Sequence, residues 1–450
     1  MRAIVKPFTV TALALVIAFG GTNGPPPALA EAGRVGARAA DRVIERRHNR
    51  IERLQRAQRI LARRWVERRP GRAIAARRAA ARHRFAMSRN GALALRGEIV
   101  AIAPDEAVLA RARALGFRVA RQVSLPALGL DFIVLRAPKA MDTNDALERL
   151  RASAPQGQFE LNHLFDPSGE LAMISTGDMH DLVLPWPDLV LPQGARLGLV
   201  DLGVDAGHPT LRGAAIETAS FAGEETPTPS AHGTAVASLL VGEDGRFHGA
   251  AKGARLFAAD VFGDADAGGS ALAIAQALAW LAEKRIPVIA MPLTGPANQL
   301  LALSIARLQA KGVLIVAPVG NEGPTRPIAF PAAYPGVVAV TATDWEGRIF
   351  IGANRGEAVM FSAVGVDIYA AADPEKLITV TGTSFAVPEV AARLLQETAA
   401  PDPGQADRAL AKLRQMARDL GAPGRDDIYG YGWVSQVGAS DPPAQFSEKP

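Results

Sequence analysis

The chain has 450 residues, 48% of them apolar, with 50 Lys and Arg against 45 Asp and Glu. That length admits two or three domains and a sizeable core. There is no cysteine, which excludes a disulfide framework and any thiolate metal site.

The first residues, MRAIVKPFTVTALALVIAFGGTNGPPPALAEA, place Arg2 and Lys6 before an apolar run from about Phe8 to Phe19. Ala28-Leu29-Ala30 then precedes Glu31. This is the layout of a secretory signal peptide over residues 1–30 with an A-x-A cut, and the alternative is an uncleaved anchor. The run is shorter than the roughly 20 residues of a membrane span. The expected location is therefore secreted or periplasmic.

Residues 31–90 hold 19 Arg against 5 acidic residues. The high overall pI belongs to this segment, and residues 91–450 are net acidic. Ile44, Ile51, Leu54, Leu61 and Trp65 recur on one helical stripe until Pro70-Gly71. The segment reads as a solvated, helical or disordered leader, or as an arm for an anionic surface such as lipid, a cell-surface polymer or an acidic partner. Nothing in it has the form of a base-reading motif, so nucleic acid is not an expected partner.

Residues 91–166 change character. The stretches GEIVAIAP, RVARQVSL, LDFIVLRAP and GQFELNHLF predict strands, and DEAVLARARALGF and DTNDALERLRAS predict helices with acidic caps. The order β-α-β-β-α-β predicts a small ferredoxin-like α+β unit. A Pro-punctuated stretch, residues 167–194, reads as a linker.

From residue 195 to about 440 the pattern is α/β, before a short tail at 441–450. Nearly continuous apolar runs appear at RLGLVD, RLFAADVF, PVIAMPL, VLIVAPVG, VVAVTAT and VDIYAA. Helical stretches such as GTAVASLLVG, ALAIAQALAWLAEKR and NQLLALSIARLQAKG intervene. Buried runs alternating with helices predict a doubly wound, mostly parallel sheet covered on both faces. Its ligands sit at the carboxyl ends of strands.

Three polar residues fall at such ends. Asp201 closes LGLVD, His232 opens AHGTAVASLLVG, and Ser384 opens GTSFAVPEVAA. Acid, base and hydroxyl are what nucleophilic acyl transfer needs. Each also has a plainer reading: Asp201 as a turn residue, His232 as a solvated helix start, and Ser384 as a cap. Asp205, His208, Pro209, His248 and His163 read as structural.

These stretches, together with APVGNEGP around Asn321, resemble the subtilisin-like serine peptidases, in which the triad runs Asp…His…Ser. The resemblance covers about residues 195–400. It implies a serine endopeptidase acting on protein or peptide substrates through an acyl-enzyme. It assigns Asp201, His232 and Ser384 to the triad and the Asn321 amide, with the Ser384 N–H, to the oxyanion hole. It assigns Leu293, Thr294, Gly295 and Gly320 to the substrate cleft. It also implies a self-processing zymogen, whose small N-terminal unit is an inhibitory propeptide held in the cleft.

The chain departs from the family pattern in places. AMPLTGP stands where Ser-Leu-Gly-Gly is usual, with Pro292 for serine and Thr294 for a glycine of the pocket wall. Pro318 and Val319 replace small alanines, Phe385 a methionine and Glu389 a histidine. These changes bear on specificity and imply small or modest apolar side chains before the cut bond. The competing expectation is an impaired subtilase scaffold that binds without turnover. No cofactor is expected. Structural calcium is common among such peptidases, but no Asp/Asn cluster here has calcium-loop spacing.

Overall fold

The computed structural model describes residues 82–168, 170–175, 186–223, 225–245, 247–263, 268–371 and 377–435. All belong to the larger of the chain's two units, residues 65–450. The signal peptide, most of the Arg-rich segment and the tail expected at 441–450 lie outside the described residues.

The first strand, β1 (Phe85–Met87), pairs antiparallel with β2 (Leu93–Ile102). This strand lies inside the stretch read as basic leader, so the ordered unit starts earlier than residue 91. Helix α1 (Glu106–Ala114) follows; the Asp105 carboxylate accepts from the Val108 N–H at 2.7 Å, a cap worth about 1 kcal/mol. Next come β3 (Arg118–Leu125), β4 (Leu130–Arg136), α2 (Thr143–Ser153), capped by Asp142, and β5 (Gln158–His163). The strands lie β5-β2-β4-β3, all antiparallel. This is the ferredoxin-like arrangement the element order predicts.

The stretch read as a linker is partly strand. Asp166–Pro167 forms β6 and Glu170–Ser175 forms β7.

The large sheet begins at β8 (Arg196–Asp201) and β9 (Ile216–Ser220). Helix α3 (Ala231–Val241) and a short hairpin, β10 (Glu243–Asp244) and β11 (Phe247–His248), precede β12 (Arg255–Asp260). Helix α4 (Ala271–Glu283), β13 (Val288–Ala290), β14 (Leu293–Thr294), helix α5 (Gln299–Gln309) and β15 (Leu314–Pro318) follow. The remaining elements are β16 (Val338–Thr343), β17 (Val359–Val364), β18 (Ile368–Ala371), β19 (Leu377–Thr381), α6 (Val387–Leu395) and α7 (Pro403–Met416).

Seven strands make one sheet in the order β17-β16-β15-β13-β8-β12-β9, every pair parallel. Strand periodicity sorts its side chains into two cores. Leu197, Leu199, Val288, Ala290 and Val316 pack with α3 and α6, while Val200, Ile289 and Ile315 pack with α4 and α5. Two apolar faces explain the continuous apolar runs. VDIYAA is corrected: it becomes β18, outside the parallel sheet and antiparallel to β19, which in turn pairs antiparallel with β7. The parallel sheet instead gains β9 and β17, which the apolar-run pattern did not single out.

The small sheet is also covered on both faces. Ile99, Ala101, Ile133 and Leu135 pack on α1 and α2. The alternate residues Val100, Ile102, Phe132 and Val134 join the core of α4 and α5. The small unit thus sits on the outer face of the large sheet's helices. No helix among the described residues is long and apolar enough to cross a membrane.

Candidate active site

Asp201 ends β8, one of the central strands, and is fully buried. His232 is the second residue of α3, and its Nδ1 lies 2.9 Å from both Oδ1 and Oδ2 of Asp201. Gly233 makes this contact possible. A Cβ there would sit 2.2 Å from the Leu202 carbonyl oxygen, so only glycine lets α3 come this close to the turn after β8. Thr234 Oγ1 accepts from the Asp205 N–H at 3.0 Å and ties the same turn to the helix.

Ser384 lies in a 3₁₀ turn, Thr383–Phe385, just ahead of α6. It therefore stands before the α-helix rather than at its first position. Pro388 falls in the first turn of α6, where its missing N–H costs little. Ser384 Oγ donates to the Pro292 carbonyl at 3.2 Å. The neighbouring Phe385 ring stands 5.5 Å, centroid to centroid, from the His232 imidazole. The three residues thus gather at one place, with Asp201 and His232 bonded directly. Ser384 and His232 are not hydrogen-bonded to each other.

Asn321 follows β15 and Gly320. Its Oδ1 accepts from the Thr383 N–H and from Thr383 Oγ1, each at 3.0 Å. Those bonds fix the amide so that Nδ2 faces the cleft. Behind it, Asn354 donates to Glu322 Oε2 at 3.0 Å and to the Pro327 carbonyl at 2.8 Å, bracing the loop.

The cleft is filled by the chain itself. The Phe165 N–H donates to the Gly269 carbonyl at 2.8 Å. Strand β6 pairs antiparallel with β14, Asp166 opposite Thr294 and Pro167 opposite Leu293. The Ser168 N–H donates to the Pro292 carbonyl at 3.1 Å, the acceptor that Ser384 also uses. Asn321 Nδ2 donates to Ser168 Oγ at 2.8 Å, and His232 Nε2 donates to the Ser168 carbonyl at 3.0 Å.

A carboxylate and a carbonyl only accept hydrogen bonds, so these contacts suit an imidazole with a proton on each ring nitrogen. Burial pushes this imidazole toward the neutral form. The Asp201 charge and the hydrogen bonds to Asp201 and the Ser168 carbonyl outweigh it, and the pKa lies above the ordinary value.

The profile of the subtilase family matches residues 193–432, more than half of the chain. The chain belongs to the subtilase family. Among relatives, it is 29% identical over 255 residues to the minor extracellular protease Epr of Bacillus subtilis, a match spanning 55% of this chain and 39% of that protein. It is 30% identical over 250 residues to the thermostable alkaline protease of Halalkalibacterium halodurans, spanning 54% and 67%. Fervidolysin of Fervidobacterium pennivorans, a keratinolytic enzyme related to subtilisin, shares the fold. The TM-score is 0.62 at 20% identity, over 77% of this chain and 61% of that one. The subtilase therefore spans well under half of Epr and about three fifths of the fervidolysin chain.

Within this subtilase the other sequence candidates stand apart from the cleft chemistry. His208 is buried on Thr210, and Asp205 accepts from the Gly207 N–H in the turn after β8. His248 lies beside Asp188. Glu389 turns away from the cleft into a buried pair with Arg393, at 2.9 Å, and also accepts from Ser435 Oγ. Sequence reasoning did not single out Phe165, the last residue of the predicted strand GQFELNHLF, or Ser168, which fell in the stretch read as a linker. It also left Thr383 as mere context of the serine motif. Among the described residues no three His, Asp or Glu side chains converge on one point.

Proposed function

We propose that this subtilase is a serine endopeptidase, exported and made as a self-processing zymogen. Ser384 is the nucleophile, His232 the general base and then acid, and Asp201 the group that orients His232 and stabilises its charge. Neutral His232 takes the Ser384 proton as Oγ attacks a peptide carbonyl. The protonated ring then gives that proton to the leaving amine, and water hydrolyses the ester. Asn321 Nδ2 and the Ser384 N–H meet the developing oxyanion; a donor of this kind is worth about 3–4 kcal/mol. Leu293, Thr294, Gly295 and Gly320 line the substrate path.

One observation carries the reading: a peptide carbonyl, that of Ser168, is held at 3.0 Å by an imidazole that itself sits on a buried carboxylate. The small unit delivers that carbonyl, which supports its role as an intramolecular inhibitor. The leader at residues 1–30 and the extracellular relative support export. The Arg-rich segment is proposed to contact an anionic surface.

The test is hydrolysis of casein by the wild-type chain beside Ser384→Ala. Ser384-dependent cleavage is expected. Peptide binding without any hydrolysis would instead favour the impaired binding scaffold.

A further inference from the structure

The same stretch of chain passes on both sides of Ser384. Upstream, Phe165 is bonded to Gly269, Asp166 and Pro167 pair with Thr294 and Leu293, and Ser168 is bonded to Pro292. Downstream, Glu170 and Leu171 pair with Thr381 and Val380 of β19, the strand that leads into the Ser384 turn. Antiparallel pairing on each side spans the nucleophile and leaves one peptide carbonyl, that of Ser168, within reach of His232 at 3.0 Å.

The upstream anchors are specific. Phe165 is fully buried, and its ring lies against Gly295; a Cβ on Gly295 would come within 2.3 Å of the ring. Ser168 is buried, and its side chain ends on Asn321 Nδ2 at 2.8 Å. A side chain that stops at one hydroxyl fills this position beneath Asn321.

We infer that the bond joining Ser168 to Gly169 is the one this chain cuts in itself. The inference rests on the peptidase reading above. Ser384 Oγ bonds to the Ser168 carbonyl carbon, and the C–N bond to Gly169 breaks. The Ser384 proton passes through His232 to the Gly169 nitrogen, which leaves as an amine. Water then splits the Ser384–Ser168 ester, placing its hydroxyl on the Ser168 carboxyl and returning a proton to Ser384. Two adjustments start the reaction. His232 Nε2 gives up its proton and turns from the Ser168 carbonyl to Ser384 Oγ, and Asn321 Nδ2 moves from Ser168 Oγ to the carbonyl oxygen.

The mature chain therefore begins at Gly169 and keeps β7 as its first strand, while the small unit ends in a free carboxylate at Ser168. The full chain is purified and followed by intact-mass spectrometry from the earliest time points, with casein hydrolysis measured on the same samples. The expected first products are one fragment ending at Ser168 and one beginning at Gly169, both absent from Ser384→Ala. A Ser384-dependent first cut at any other bond overturns the inference. So does Ser384-dependent casein hydrolysis by a chain that never cuts itself; either result leaves the peptidase reading standing. A chain that cuts neither itself nor casein overturns both.

Discussion

Asn321 Nδ2 donates to the side-chain oxygen of Ser168, at 2.8 Å, and not to its carbonyl. The donor proposed to stabilise a tetrahedral oxyanion is engaged by the hydroxyl of the residue whose carbonyl we infer is attacked. One such bond is worth about 1 kcal/mol net. Ser168→Ala is therefore expected to speed the first cut by about fivefold, and Asn321→Ala to slow it by about 10²–10³. Loss of the full-length precursor on a gel measures both. A slower Ser168→Ala chain would show that the hydroxyl assists the reaction.

Asp201 holds the Nδ1 proton of His232 with both of its oxygens. An amide in its place presents an N–H to one face of the ring and favours the wrong tautomer. Asp201→Asn is expected to lower kcat by about 10⁴ while leaving the thermal midpoint near that of the wild type. Peptide hydrolysis and a melting curve on one preparation check the pair of outcomes.

His232 must be neutral to act as a base, yet its pKa is held above the ordinary value by Asp201 and the Ser168 carbonyl against the effect of burial. The protonated fraction falls as pH rises through that value. Self-cutting is thus expected to accelerate with pH across a midpoint above about 6.5 and then level off. Rate profiles of precursor loss would contradict this if they rose toward acid.

His163, on β5, meets Asn298, the residue that caps α5. Its Nδ1 accepts from Asn298 Nδ2 at 3.0 Å, and Glu160 lies 3.8 Å away. Burial pushes its pKa down, with Glu160 pulling the other way. A histidine held below its ordinary value binds its proton more readily once exposed. Its contribution to docking is thus present in full above the ordinary value and lost as pH falls from there through the lowered, docked-state value. Protonation would also set a donor against the Asn298 donor. In the Ser384→Ala background, acidification from about pH 7.5 to 5.5 is expected to lower the melting midpoint more than it does with His163→Gln. Equal slopes would remove His163 from the pH response.

Glu389 and Arg393 form a buried pair within α6, their side chains only 1% and 2% exposed. Removing one partner strands a buried charge. Glu389→Ala is expected to cost about 3–5 kcal/mol, and the double change to Met at both positions far less. Denaturant unfolding of the two variants in the Ser384→Ala background tests the difference.

Much of the site can be read from the chain because its motifs are local. HGT carries both the imidazole and the glycine that lets its helix approach β8. GTS carries the serine together with the Thr383 that orients Asn321. The ferredoxin-like order followed from the sequence of strands and helices alone. The apolar runs EIVAI and FIVL held a further signal. A four-stranded sheet with helices on one face should alternate, and these runs do not, because α4 and α5 cover the second face. The strand VDIYAA misled for a related reason. Its short apolar run looks the same whether its partners are parallel or, as here, β19 alone.

The amino-acid order by itself determined which chemical groups are present and which short turns, caps and glycines surround each one, since these depend on interactions over a few residues. The family resemblance placed the small unit in the cleft, but the amino-acid order did not determine which of its residues lie there or how they pair. Asp166 to Ser168 carry ordinary turn residues, and nothing local marks them as a strand. They become one only because the docked small unit brings them between Gly269 and Pro292. Contacts of that kind depend on distant surfaces meeting once the intervening chain has closed.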